Sequence, residues 1–236
     1  MSNDLSKLTR KERRSALIGM VLGDASLYRQ SGLHSTDATV LKITHSIKQR
    51  AYLEWKRDII QPMFEYPLQI VEAYNSAKGK QYPVAKILTR SNPQLKRLRK
   101  ILYDAEGTKR VTPQILNALD DRGVAIWYCD DWCLSKTVGR GATVIAATNC
   151  FTYDEHLLMR EWFADVYGVC FNIYQHKSGT YHLRRGISDA RKLIDRIAPY
   201  VIESMRYKVE YPLPKRGNWY SLPDTVRTPK QETLFG

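Results

Sequence analysis

Apolar residues along this chain recur in an order that happens twice. One apolar stretch of helical length, Leu17-Ile18-Gly19-Met20-Val21-Leu22-Gly23, ends in an acid, Asp24. A second, Val124-Ala125-Ile126-Trp127-Tyr128-Cys129-Asp130, ends in Asp131. After Asp24 the alternation predicts short strands at 26–29 and 39–45, then an amphipathic helix through Tyr52-Leu53-Glu54-Trp55-Lys56. Strand-like runs follow at 68–74 and 84–90, and Asn92-Pro93 marks a helix start, since Asn caps and Pro suits a first turn. The order repeats after Asp131. Strands are predicted at 133–138 and 143–149, and a helix opens at Thr152 on a capping box ending in Glu155. Further strands at 169–175 and 181–187 precede a helix from Ser188-Asp189.

Small identities support a duplication. Thr44-His45-Ser46 matches Thr148-Asn149-Cys150, and the run Lys109-Arg110-Val111-Thr112-Pro113 echoes Tyr207-Lys208-Val209-Glu210-Tyr211-Pro212. The predicted fold is α+β, a pseudo-twofold pair of αββαββα halves. The first half takes residues 1–115, with the repeat itself starting near Arg13, and the second takes 116–211. A proline-rich extended tail occupies 212–236.

The two terminal aspartates carry the candidate chemistry. A carboxylate at a helix C-terminus opposes the macrodipole, and here it recurs at equivalent points of a repeated unit. Gly19-x-x-x-Gly23 and Ala125-x-x-x-Cys129 offer small-residue stripes for close helix packing. Such packing would bring Asp24 and Asp131 together at the pseudo-twofold axis. Two carboxylates in one small volume repel unless cations are shared between them.

Composition narrows the partner. The 236 residues carry a net charge of +13, which on a folded chain favours a polyanion, nucleic acid first. No polybasic tail beside an anchor points to a membrane surface, and no apolar run approaches the ~18–20 residues of a bilayer span. A signal peptide is not expected at the N-terminus, so an intracellular location is expected. The four cysteines contain no C-x-x-C pair and read as thiols, not a zinc site.

Both apolar motifs resemble the one that defines the LAGLIDADG homing endonucleases. The resemblance is strongest in Leu-Gly-Asp-Ala (22–25), Trp-Tyr-x-Asp-Asp (127–131), Thr-Asn-x-Phe-Thr (148–152) and Tyr-Lys (207–208), and runs from about Arg13 to Pro212. Ile126 and Trp132 stand where the second motif would have glycines, so altered helix packing is expected. The resemblance implies two motif helices at the interface between halves and a saddle of antiparallel sheets lying in the DNA major groove.

It further implies a monomeric, metal-dependent nuclease acting on double-stranded DNA at a long, asymmetric site. Mg²⁺ is the expected metal and Mn²⁺ a substitute. Asp24 and Asp131 are the expected ligands, with main-chain carbonyls near Gly23 and Asp130 as further ones and the Asp130 side chain facing away. His45 and Asn149 match the positions that order attacking water. Lys208 matches the basic residue near the scissile phosphate. Its first-half counterpart is Lys109 by spacing back from Pro113, or Arg110 by ungapped comparison, and both stand. Gln69, Lys86 and Arg90 in the first half, with Asn172, Tyr174, His182 and Arg184 in the second, are the candidate groove-facing residues. A maturase that assists splicing of intron RNA, or a DNA-binding regulator without catalysis, is the alternative.

Overall fold

The computed structural model describes residues 4–30, 38–77, 80–137 and 141–211. The predicted strand end at Val138 and the tail 212–236 lie outside the described residues. The first half runs α1 (Arg10–Leu22), β1 (Ser26–Gln30), β2 (Ala38–Ser46), α2 (Arg50–Ile60), β3 (Ile70–Ala77), β4 (Lys80–Leu88) and α3 (Pro93–Leu102). A single turn, α4 (Pro113–Leu116), leads to α5 (Asp121–Asp131). The second half repeats the order with β5 (Trp132–Thr137), β6 (Gly141–Ala146), α6 (Tyr153–Tyr167), β7 (Asn172–Gln175), β8 (Tyr181–Gly186) and α7 (Ile187–Ile197).

Each half holds a four-stranded antiparallel sheet, in the order β1-β2-β4-β3 and β5-β6-β8-β7. The duplicated α+β architecture is therefore as expected. Local chemistry explains the helix starts. Asn92 caps α3 ahead of Pro93, and Thr152 and Glu155 form the expected capping box on α6. A second capping box, Thr9 with Glu12, opens α1 and had not been read from the pattern. Gly168 ends α6 at φ 65, a left-handed conformation that glycine adopts without a Cβ clash.

The seam between the halves is the pair α1 and α5. Two glycines set its closeness. A Cβ built on Gly19 would lie 2.1 Å from the Gly123 carbonyl oxygen, and one on Gly123 would lie 2.3 Å from Ser15 Oγ. The second helix thus meets the first through Gly123, not through the predicted Ala125/Cys129 stripe. Ser15 Oγ donates to Asp120 Oδ1 at 2.7 Å and fastens the end of the seam where both helices begin.

Ile126 is fully buried in α5, and its carbonyl accepts from Tyr52 Oη at 3.3 Å. Trp132 turns away from the seam as the first residue of β5. Its ring sits among Trp127, Tyr128, Phe163 and Phe171, at centroid distances of 5.3–5.7 Å. The aromatic core of the second half therefore absorbs a side chain that a glycine motif would not need.

Candidate metal and nucleic-acid site

The far end of the seam gathers three carboxylates. Asp24 follows the Gly23 cap of α1, and Asp130 and Asp131 are the last residues of α5. Asp130 does not face away as expected. It lies seven residues beyond Gly123, two helical turns along the same face, and packs on Gly23, where an added Cβ would meet its Cβ at 2.5 Å. Its carboxylate accepts from the Asp24 backbone N–H at 3.1 Å, from Tyr52 Oη at 2.8 Å and from Lys56 Nζ at 2.6 and 2.8 Å. Both side chains of the Asp130–Lys56 pair are 0% exposed. A buried ion pair with satisfied hydrogen bonds holds its charge in place, and removing one partner strands the other.

Among the described residues, neither Asp24 nor Asp131 forms an ion pair with a lysine or arginine. Burial, then the charge of Asp130, raises the Asp24 carboxyl to about 6, although its side chain is 42% exposed. Burial, then Asp130 and Asp24, raises Asp131 to about 7. The nearby lysines Lys56 and Lys109 oppose the rise at both acids.

Two lysines hold the helix ends. Lys109 Nζ donates to the Gly23 carbonyl at 2.5 Å, and burial lowers its proton affinity against the pull of Asp131. It is set there by a bridge to Tyr103 that closes a turn through Gly107, at φ 87. Lys208 Nζ donates to the carbonyls of Cys129 and Trp132 at 2.5 and 3.0 Å, and Tyr128 Oη holds its backbone carbonyl at 2.9 Å. Of the two first-half candidates, Lys109 is the one whose side chain reaches the seam. Arg110 is exposed and donates to the Ile101 and Lys100 carbonyls at the end of α3. The Gly23 carbonyl, an expected metal ligand, here accepts from Lys109.

His45 and Asn149 are not equivalent. His45 is buried within β2, opposite Ala85, with Nδ1 3.6 Å from Asp24 Oδ2 and Nε2 2.9 Å from Lys56 Nζ. Burial and the Lys56 charge lower it to about 4, so it is neutral at pH 7. Asn149 falls in an exposed turn, because β6 ends earlier, at Ala146. The oxygen and nitrogen ligand atoms of Asp24, His45 and Asp130 lie within 4.8 Å of one another.

The sheets have one face toward the helices and one open. In the second half Asn172 pairs with Arg184 and Tyr174 with His182, so all four share the open face. His182 is only 7% exposed, packed 5.1 Å from the Tyr174 ring and 5.0 Å from that of His176, and is not free to reach outward as expected. In the first half Lys86 pairs with Val71 and Thr44, on the face opposite buried Ile43 and Ile87. Gln69 precedes β3, and Arg90, past the end of β4, lies 4.1 Å over the Tyr66 ring. Alternation also puts Leu88 on this open face with Lys86. Val71 and Leu88 are each 52% exposed, apolar positions that a search for polar readers passes over.

A sequence profile described as the LAGLIDADG DNA endonuclease family matches residues 14–193, about three quarters of the chain. Among curated proteins, RecA of Mycolicibacterium chitae is 23% identical over 202 residues, which cover 82% of this chain and 45% of that one. The chain thus spans about half the length of the RecA relatives it matches. A probable intron-encoded DNA endonuclease 3 of Mycosarcoma maydis is 34% identical over 95 residues, 40% of this chain and 67% of that protein. Among solved structures, the homing endonuclease I-WcaI bound to its DNA recognition sequence shares the fold. Its TM-score is 0.71 at 18% identity, over 90% of this chain and 96% of that one.

Proposed function

The chain belongs to the LAGLIDADG DNA endonuclease family, and on that premise we propose that it is a divalent-metal-dependent, site-specific endonuclease acting on double-stranded DNA. The observation that carries the reading is the pair of acids at the seam. Asp130 is paired with Lys56, whereas Asp24 and Asp131, without a lysine or arginine ion pair among the described residues, are raised to about 6 and about 7. A site that disfavours its own negative charge while offering hard carboxylate oxygens suits Mg²⁺, with Mn²⁺ as a substitute. Asp24 and Asp131 are the side chains that would hold it. Bound there, the metal would polarise a phosphoryl oxygen and acidify a water.

The protein's own groups supply the rest. Lys109 and Lys208, one at each helix end, present ammonium charge where a scissile phosphate of each strand would enter. The open sheet faces fit the major groove, where Asn172 and Arg184 can read base edges and Lys86 the phosphates. Exposed Val71 and Leu88 suit thymine methyl groups. Because one open face carries Val71 and Leu88 and the other Asn172 and Arg184, the target is asymmetric, and a single chain supplies both halves.

The test is cleavage of a randomised duplex library in Mg²⁺, followed by Asp24→Asn and Asp131→Asn on the selected target. The reading expects specific double-strand breaks that both variants lose while still binding the DNA. Absence of any break, together with tight binding of an intron RNA, would overturn it in favour of a maturase. Unchanged function in both Asn variants would favour a regulator.

A further inference from the structure

The trio Asp24, His45 and Asp130 has the spacing of a metal site, but Lys56 changes what it can do. An ammonium carries three donors and no acceptor. Lys56 Nζ spends its donors on Asp130 Oδ1 and Oδ2, at 2.6 and 2.8 Å, and on His45 Nε2, at 2.9 Å. A neutral imidazole has one bare nitrogen, and a donor-only neighbour at Nε2 requires that this be the bare one. The proton then sits on Nδ1. That nitrogen faces Asp24 Oδ2 across 3.6 Å, too far for a direct hydrogen bond and close enough to share an oxygen ligand of the carboxylate.

We propose that Lys56 is a positioning residue. By occupying Nε2 it fixes His45 as the Nδ1–H tautomer, with that donor turned toward Asp24 across 3.6 Å, neither a base nor a metal ligand. Asp130 in turn anchors Lys56 through a pair buried from solvent on both sides. This deepens the nuclease reading and rests on it for its functional half. His45 orients the attacking water near Asp24 by donation from Nδ1–H and takes no proton from it.

The device belongs to one half only. Lys56 lies seven residues after Gln49, the residue preceding α2, and the residue seven after the Thr152 cap of α6 is Met159, fully buried. Across the seam Met159's half meets Gly23, which has no carboxylate to pair. The first-half site therefore has a fixed donor that the second lacks.

Nitrogen-15 imidazole spectra of the metal-free protein test this directly, with His45→Gln identifying the resonance. In the wild type His45 should show a protonated Nδ1 and a bare Nε2. In Lys56→Met, and in the charge-neutral Lys56→Met/Asp130→Asn pair should the single variant misfold, the population should move to the Nε2–H form. A wild-type ring protonated at Nε2, or a tautomer unchanged in a folded variant, would overturn the proposal. On a selected target, single-turnover cleavage by the variant should slow one strand by about tenfold or more, in line with misplacement costs of up to ~100-fold, and accumulate nicked DNA. Equal slowing of both strands would also count against it. If the wild type cuts nothing, the nuclease reading fails while the tautomer result still decides the role of Lys56.

Discussion

Asp131→Asn should stabilise the metal-free protein while abolishing cleavage. The carboxyl of Asp131 is raised from 3.8 to about 7 by burial and by the charges of Asp130 and Asp24. A group whose folded-state pKa is raised contributes stability below its unfolded value and loses that contribution as pH rises through the folded value. At pH 8 the wild type therefore carries a charge that its surroundings oppose, and below about pH 4 it does not. The gap between 3.8 and about 7 converts to about 4 kcal/mol if taken at face value. Asp131 is only half-buried, and solvent screening leaves ~1–2 kcal/mol of that. For a chain of this length a gain of that size raises Tm by about 2–6 °C. The assay is thermal unfolding of both proteins in chelator from pH 4 to pH 8. The variant's advantage should be near zero at pH 4 and largest above pH 7. Mg²⁺ at pH 8 should raise the wild type and leave Asp131→Asn nearly unmoved, since binding to the native state stabilises by mass action. An Asn variant less stable than wild type at pH 8, or an advantage that does not grow with pH, would refute the reasoning. The carboxylate would then be structural.

Three further perturbations probe the same architecture. Lys109→Met should lose cleavage by ~100-fold or more while Arg110→Met stays near wild type, because of these two only Lys109 reaches the end of α1 at Gly23; equal losses on the selected target would reverse the assignment. Gly19→Ala should cost ~1–3 kcal/mol in urea unfolding, since its methyl would meet the Gly123 carbonyl at 2.1 Å, and an unperturbed midpoint would mean that the helices part freely. Trp132→Ala should cost ~3–5 kcal/mol by emptying the centre of the second-half aromatic core; a loss under ~1 kcal/mol would show that Trp127 and Phe163 close over the gap.

The repeated order of elements was legible because each half must bury one sheet face under helices, and that demand writes the same alternation twice. Strand and helix boundaries followed from caps and turn residues, as at Asn92 and Thr152. What stayed hidden depends on the angle between helices. Asp130 and Asp131 differ by about 100° around α5, and only the Gly19–Gly123 contact decides which of them turns to α1. Gly123 lies upstream of the apolar motif and so was not counted within it. Lys56 did leave a trace, a charge sitting among Leu53, Ile59 and Ile60 on the buried side of an amphipathic helix. Such a charge needs a partner, but its partner lies in the other half of the chain, and local periodicity cannot name it.

That partnership ties the two halves together at the site. The residue before each terminal Asp faces its counterpart across the seam. Here one of the two is Gly23 and the other Asp130, so the acid fills the space that the glycine leaves. A third carboxylate in that position would raise Asp24 and Asp131 further, and Lys56, reaching from α2, offsets it. The cost is a buried charge pair that only a matched seam can satisfy. The return is a link between halves independent of apolar packing, which places α2 and His45 against the acids. Gly23, Asp130 and Lys56 therefore form one coupled unit. Changing any one alone should damage both the seam and the site, whereas the pair Lys56→Met/Asp130→Asn should spare the first and impair the second.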